Sequence, residues 1–236
     1  MYDTTRRVLM AVVAASTTVM LTACGSATPT PTGDELYRDG EGRYVSYATT
    51  MHAVIMAIDE KRWTVDQASW GASPIPCRTD GGGAGYSFSW ARVLEQDDLD
   101  ADAIVASAST AFAAADMKVT TATYGAGDRE EINVIATGGE VVRGVVTIRP
   151  ARGTIRVTAE PGCFAGDAAD LSDMVFAGVT YPGLARRLPA FEGPDWQPRF
   201  YLPEDGSPLY WNEDGTPIDL PPTMTELPVA PYGDAS

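Results

Sequence analysis

The stretch that decides the fold is EVVRGVVTIRPARGTIRVTAE, residues 140–160. It is rich in valine, isoleucine and threonine, which favour β-strands, and it breaks once, at Pro-Ala-Arg-Gly. This pattern predicts two strands, 140–149 and 153–160, joined by a two-residue loop at Ala151-Arg152. A connection this short implies that the two strands are antiparallel.

The predicted loop fixes the register and places Arg143 opposite Glu160. One face of the pair is then apolar and is expected to receive the helices; it carries Val142, Val146, Ile148, Ile155, Val157 and Ala159. The opposite face carries Arg143, Thr147, Arg149, Arg156 and Thr158. The arginines Arg143, Arg149 and Arg156 are a candidate anion-binding surface, although cross-strand pairing with threonine and glutamate also explains them.

Further strands precede this pair. Residues 117–124 and 131–137 are again rich in Val, Ile and Thr, and the glycines at 138–139 leave the register of the second strand open. Upstream, Tyr86, Phe88 and Trp90 alternate with small residues, as in a half-buried strand. The short connections predict an antiparallel β-meander.

Two amphipathic helices complete the predicted domain. Apolar residues recur at helical spacing in 47–61 and again in 101–115, where Asp97 or Asp98 is placed to cap the helix. The predicted fold class is therefore α+β: an antiparallel meander sheet with two helices packed on one face, followed by a proline-rich irregular C-terminal extension.

The N-terminus has the features of an export signal. Arg6 and Arg7 precede a fourteen-residue apolar stretch, 8–21, which suits a secretory signal and is short for a membrane span. We expect a signal peptide over 1–23, a flexible tether over 24–43 and the folded domain over 44–164.

The four residues Leu21-Thr-Ala-Cys24 resemble the lipobox of bacterial lipoproteins. The resemblance implies a diacylglyceryl group on Cys24, cleavage just before it, palmitate in the mature protein and attachment to the outer face of the cytoplasmic membrane. Two acyl chains suffice for stable attachment. The alternative is an ordinary cleaved signal with a chance cysteine.

Beyond the signal, the chain is similar to small actinobacterial envelope lipoproteins with a cysteine-bracketed α+β domain. This similarity implies no particular activity.

Cysteine usage agrees with export. If Cys24 carries lipid, Cys77 and Cys163 remain as an even pair in an oxidising compartment, and we predict a disulfide between them. The alternative is a catalytic or metal-binding cysteine.

The chain is strongly acidic, with 32 Asp and Glu against 17 Lys and Arg and a net charge of −15. This balance excludes nucleic acid as a natural partner and disfavours binding to anionic lipid through a basic patch. We expect a monomer whose contact with the membrane is the lipid anchor.

Motifs for catalysis, metals and cofactors are incomplete. His52 is the single histidine, so histidine-based catalysis would have to use it. It lies one residue off the apolar stripe of the first helix and is expected at the surface or at the edge of the core. Asp98, Asp100 and Asp102 resemble the start of a calcium loop, but the required Gly and Glu are absent. The Gly-rich segment 80–85 has no following Lys-Ser or Lys-Thr and is expected to be a loop near the disulfide. We predict no catalytic residue, metal or cofactor.

The C-terminal extension, 165–236, contains two copies of a nine-residue unit over 201–218. Each copy has an Asp-Gly turn between aromatic and proline positions. The aromatics Phe200, Tyr201, Tyr210 and Trp211 form a candidate binding surface for a partner or glycan, since aromatic rings stack on sugars. An extended ribbon laid over the domain is the alternative.

The sequence thus predicts a membrane-anchored extracytoplasmic lipoprotein with a non-catalytic binding or structural role at the cell envelope, whose partner is an envelope protein or glycan. Two alternatives remain: a cell-wall glycan-binding module acting through the C-terminal aromatics, and an envelope hydrolase using carboxylates.

Overall fold

The computed structural model describes residues 29–66, 72–139, 141–176, 191–198 and 200. Three α-helices lie in this part of the chain: α1 Gly33–Ile58, α2 Ala101–Ala114 and α3 Ala168–Phe176. The strands are β1 Trp63–Val65, β2 Pro74–Arg78, β3 Ala84–Phe88, β4 Trp90–Glu95, β5 Lys118–Tyr124, β6 Glu131–Thr137, β7 Arg143–Arg149, β8 Thr154–Glu160, β9 Phe164–Ala165 and β10 Phe191–Glu192.

The strands form two antiparallel sheets. The larger has seven strands in the order β10-β1-β4-β8-β7-β6-β5, and the smaller has the order β2-β3-β9. The predicted α+β class and the meander β5-β6-β7-β8 are confirmed. On the other side of β8, the sheet continues with β4, β1 and β10. The sequence pattern predicted a strand that ends near Trp90, where β4 begins, and it predicted neither β1 nor β10.

The register of the central pair is as predicted, with Arg143 opposite Glu160. The connection is longer than expected: a 3-10 turn over Pro150–Arg152 is followed by Gly153 at φ 59°, and the two extra residues leave the pairing unchanged. The sequence left open how β6 pairs with β7 across the glycines at 138–139. In the structure, Ile132 of β6 lies opposite Ile148 of β7.

The apolar face of the meander faces α1 and α2, and Val146, Ile148, Ile155 and Val157 are fully buried there. Val142 is a correction to the predicted face. Val142 is 51% exposed because it precedes β7, which begins at Arg143 and not at the predicted residue 140, while the neighbouring Val141 is buried.

α1 begins at Gly33, fourteen residues before the predicted start, within the stretch expected to be a tether. Its first half is packed on the domain, with Leu36, Tyr37 and Tyr44 buried. The early turns were missed because Gly40 and Glu41 occupy buried positions of the stripe. The Cβ of a larger residue at Gly40 would lie 3.0 Å from the Leu171 and Phe200 side chains.

The cap of α2 also differs from the prediction. Neither Asp97 nor Asp98 caps the helix; the N-cap is Asp100, whose Oδ1 accepts a hydrogen bond from the Ala103 backbone N–H at 3.0 Å. The helix therefore begins at Ala101, as the apolar pattern indicated.

The alternating Tyr86, Phe88 and Trp90 are all buried, but they belong to two strands. β3 ends at Phe88 in the small sheet, and β4 begins at Trp90 in the large one. Ser89 is the point at which the chain passes from one sheet to the other.

Cys77 and Cys163 form the predicted disulfide, with their Cα atoms 5.9 Å apart. Cys77 lies within β2 rather than in a loop, and Cys163 lies between β8 and β9. The bond thus ties the small sheet to the end of the last meander strand.

The described part of the C-terminal extension contributes to the fold. β10 pairs with β1, and Leu171, Val175, Trp196 and Phe200 are buried in the core. The folded domain therefore continues past residue 164. The repeat at 201–218 lies outside the described residues.

We expect Gly85→Ala to destabilise the domain by about 1–3 kcal/mol. A Cβ there would lie 2.5 Å from Cys163 Sγ and 2.7 Å from the Phe164 carbonyl oxygen. The measurement is denaturant unfolding under non-reducing conditions. Gly42→Ala in α1 is the control, since nothing lies within 4 Å of its Cβ; a similar loss in both variants would contradict the proposed close contact.

Candidate functional site

The single histidine lies in a buried polar cluster that joins α1 to the last strand. His52 Nδ1 is 2.7 Å from Oε1 of Glu192 on β10. The histidine side chain is 18% exposed and the glutamate is fully buried. The two residues are 140 positions apart, and no local pattern in the sequence indicates that they meet.

Arg92 of β4 holds the other oxygen of this carboxylate. Its Nε donates a hydrogen bond to Glu192 Oε2, and its Nη1 donates to the Ala91 carbonyl at 2.9 Å. The guanidinium lies 4.4 Å from the centre of the Trp90 ring. Each carboxylate oxygen of Glu192 therefore has a partner, His52 at Oε1 and Arg92 at Oε2. A charge buried away from water needs such partners. Together His52, Glu192 and Arg92 form what we call the latch cluster.

Aromatic side chains surround the latch cluster. The His52 ring lies 5.2 Å from the Trp196 ring at an interplanar angle of 31°. Within the described residues, the Tyr44 hydroxyl and the Trp90 and Trp196 indole N–H groups have no hydrogen-bond partner. Burial raises the pKa of Tyr44 well above its usual range, with nearby Arg92 opposing and Glu192 adding to the effect. Tyr44 is thus a neutral phenol at physiological pH.

Glu192 contacts His52 as the carboxylate of a catalytic triad contacts its histidine, but no third member of a triad lies beside His52 among the described residues. Among the described residues, His52 makes no hydrogen bond to a serine, threonine or cysteine. In a catalytic triad, the carboxylate-oriented histidine takes the proton from such a nucleophile. No group of three or more His, Cys, Asp or Glu able to hold a metal ion occurs among the described residues.

The three arginines of the outer face lie on neighbouring strands, as predicted, and each is bound to a carboxylate. Arg149 Nη2 lies 2.8 Å from Glu131, Arg156 Nη1 lies 3.0 Å from Asp66, and Arg143 Nη1 lies 3.5 Å from Glu160. The arginine bonds lower the pKa of Glu131, after the larger effect of its hydrogen bond from Asn133. The structure thus favours cross-strand pairing over an anion site.

Phe200, one of the four aromatic residues of the predicted binding surface, is not at the surface. Phe200 is 2% exposed and packs in the core, 5.0 Å from the Tyr37 ring and 6.0 Å from the Tyr44 ring. It is therefore a core residue and a correction to the candidate surface. Tyr201, Tyr210 and Trp211 lie outside the described residues.

An open cleft of about 650 Å³ lies beside the disulfide, between the β2-β3 hairpin and the start of α3. Its two charged side chains are hydrogen-bonded within the chain: Arg78 Nη1 donates to the Gly82 carbonyl at 3.2 Å, and Asp167 Oδ1 accepts from the N–H groups of Ala169 and Asp170. The rest of the described lining is mostly proline, alanine and glycine. The Gly-rich segment 80–85 forms the turn of this hairpin and the start of β3.

Comparisons with protein families, with curated proteins and with solved structures found no match to this chain.

Glu192→Gln should lower the free energy of unfolding by about 3–5 kcal/mol, because it leaves Arg92 buried without its counter-charge. Chemical denaturation followed by tryptophan fluorescence measures this loss. Glu60→Gln, which makes the same change at an exposed position, should shift stability by less than about 0.5 kcal/mol. Equal stability of the two variants would show that the latch cluster does not hold the fold.

Stability should fall as pH rises past about 10, the pKa of an unfolded tyrosine. The folded state keeps the buried Tyr44 hydroxyl protonated while the unfolded state releases the proton, so alkaline pH favours unfolding. Tyr44→Phe should make this fall shallower, as measured by thermal unfolding from pH 8 to 11. Tyr124→Phe, at a side chain that is 55% exposed, is the control and should leave the slope unchanged.

Proposed function

We propose that this protein is a lipid-anchored extracytoplasmic protein at the outer face of the cytoplasmic membrane, with a binding or structural role rather than a catalytic one. The observation that carries the proposal is the pairing of Cys77 with Cys163. This pair uses two of the three cysteines in the sequence, and the third, Cys24, is the residue placed at the lipobox.

The disulfide supports export because such bonds persist in oxidising compartments and are rare in the cytosol. None of the helices within the described residues is long and apolar enough to cross a membrane. With a net charge of −15, the chain gains nothing from electrostatic attraction to anionic lipid. An acylated Cys24 supplies the attachment that neither a spanning helix of the described part nor charge provides.

The start of α1 bounds the distance between the domain and the membrane. Gly33 is nine positions after Cys24, so a fully extended connection reaches at most about 30 Å. An anchored domain would therefore stay close to the bilayer, and its partners would be found there.

A binding or structural role fits the state of the polar groups. The arginines of the outer face are paired, and His52 of the latch cluster makes no hydrogen bond to a described serine, threonine or cysteine. The described lining of the cleft includes one carboxylate, Asp167. Glycoside hydrolysis needs two carboxyl groups facing one another, one of them a general acid with a raised pKa. Among the described residues, the carboxyl groups with shifted pKa values are Asp39 and Glu131, and both pKa values are lowered. At Asp39, burial is the largest single effect and raises the pKa, but the hydrogen bonds from Arg43 and Tyr86 together outweigh it.

Replacement of Cys24 by alanine tests the anchor. In membranes of a bacterium with the lipoprotein pathway, the natural chain should partition into detergent, incorporate labelled palmitate and give a mature N-terminal peptide heavier by its acyl groups. Cys24→Ala should lose the label and the acyl mass.

The double variant Cys77→Ser and Cys163→Ser is the matched control. It removes two cysteines but leaves the lipobox, so it should still incorporate palmitate. Mass spectrometry showing an unmodified sulfur on Cys24 of the natural chain would overturn the proposal.

A further inference from the structure

β5 forms one edge of the seven-stranded sheet. All seven of its residues pair with β6, from Lys118 opposite Thr137 to Tyr124 opposite Glu131. No strand within the described residues pairs with its other side. The N–H and C=O groups that point away from β6 are therefore left facing outward, in the pattern that a further strand could use.

This edge lacks the usual protection against strand pairing. Natural edge strands carry prolines, bulges, several charges or a covering element. β5 has the sequence KVTTATY, without proline or glycine, pairs one-to-one with β6 along its whole length, and has five exposed residues. The small sheet shows the contrast: its edge strand β2 contains Pro74 and Pro76.

We propose that the outer edge of β5 binds β5 of a second copy of this chain, in antiparallel orientation about a two-fold axis at Thr121. This register uses all seven residues. Lys118 lies opposite the second copy's Tyr124, Val119 opposite its Thr123, and Thr120 opposite its Ala122. The two sheets become one continuous sheet with the helices of both copies on the same side.

The distribution of charge favours β5 as the contact between two copies. Two copies that each carry a net charge of −15 repel one another over most approaches. β5 contains no carboxylate, and its single charge is Lys118 at one end. Antiparallel pairing places each Lys118 beside a Tyr124 ring, where a cation is attracted, and keeps the two lysines at opposite ends of the interface.

The composition of the strand supports direct pairing. Thr–Thr and Val–Thr pairs across antiparallel strands are favourable, and like charges directly opposite are unfavourable. In the proposed register no like charges meet. This proposal differs from the monomer expected from the sequence.

Cysteine cross-linking tests the two-fold register. Thr121 is the one position that faces itself, with Cα atoms about 4.5–5.5 Å apart, which is within the range of a disulfide. In the full-length chain carrying Cys24→Ala, so that the introduced thiol is the only unpaired one, Thr121→Cys should give a dimer under mild oxidation. The Cys24→Ala background makes this result independent of the lipid anchor.

Two controls define what contradicts the proposal. Thr120→Cys, also exposed on the same strand, faces Ala122 of the second copy and should cross-link several-fold less. Thr110→Cys, at an exposed position of α2, should stay monomeric. A Thr121→Cys yield no higher than either control would overturn the proposal. Occupation of the edge by another segment of the same chain would give that outcome.

Sedimentation of the same full-length chain without introduced cysteines provides a second measurement. The dimer fraction should rise with protein concentration and with salt, because salt screens the repulsion between acidic copies. Thr121→Lys should lower the dimer fraction several-fold by placing two charges opposite one another, whereas Thr110→Lys should not. A chain that stays monomeric at every concentration, or a dimer unaffected by Thr121→Lys, would overturn the proposal.

Discussion

The ion pair between Arg92 and Glu192 is the constraint on which the arrangement of this domain depends. Arg92 points from β4 into the space between the large sheet and α1, where it is fully buried. Such a charge costs several kcal/mol unless it is paired, so β4 can lie here only if a carboxylate comes with it. Glu192 supplies that carboxylate and brings β10 to the edge of the sheet next to β1. His52 then binds the same carboxylate from the helix.

This arrangement explains why residues after 164 belong to the core. Trp196 stacks on His52, and Phe200 contacts Tyr37, Tyr44 and Phe88. These aromatic rings close the end of the core that α1 and the small sheet leave open. Hydrophobic burial supplies much of the energy, while the ion pair fixes which segment lies there, since a slip of one residue would move Glu192 to the outer face.

The sequence predicted what depends on local pattern. The meander strands have strong β-formers, short connections and a period of two, and the register of β7 on β8 followed from them. The disulfide followed from the even pair of cysteines left once Cys24 is assigned to the lipobox. The beginning of α1 did not follow, because glycine and glutamate at buried positions obscure its stripe. The short strands β1, β9 and β10 have only two or three residues, too few for any periodicity. The latch cluster joins residues far apart in sequence, and only the three-dimensional fold brings them together.

The position of Glu192 also affects how the chain reaches its native state. Protein synthesis runs from the N-terminus, and the meander, whose contacts are local, can pair as soon as residue 160 is available. The counter-charge of Arg92 is made only later, because Glu192 lies 100 positions after Arg92 in the sequence. A ribosome-bound or truncated chain ending before residue 192 therefore contains a paired sheet with a cation in its interior, a state that favours recognition by chaperones and proteases over completion of the fold.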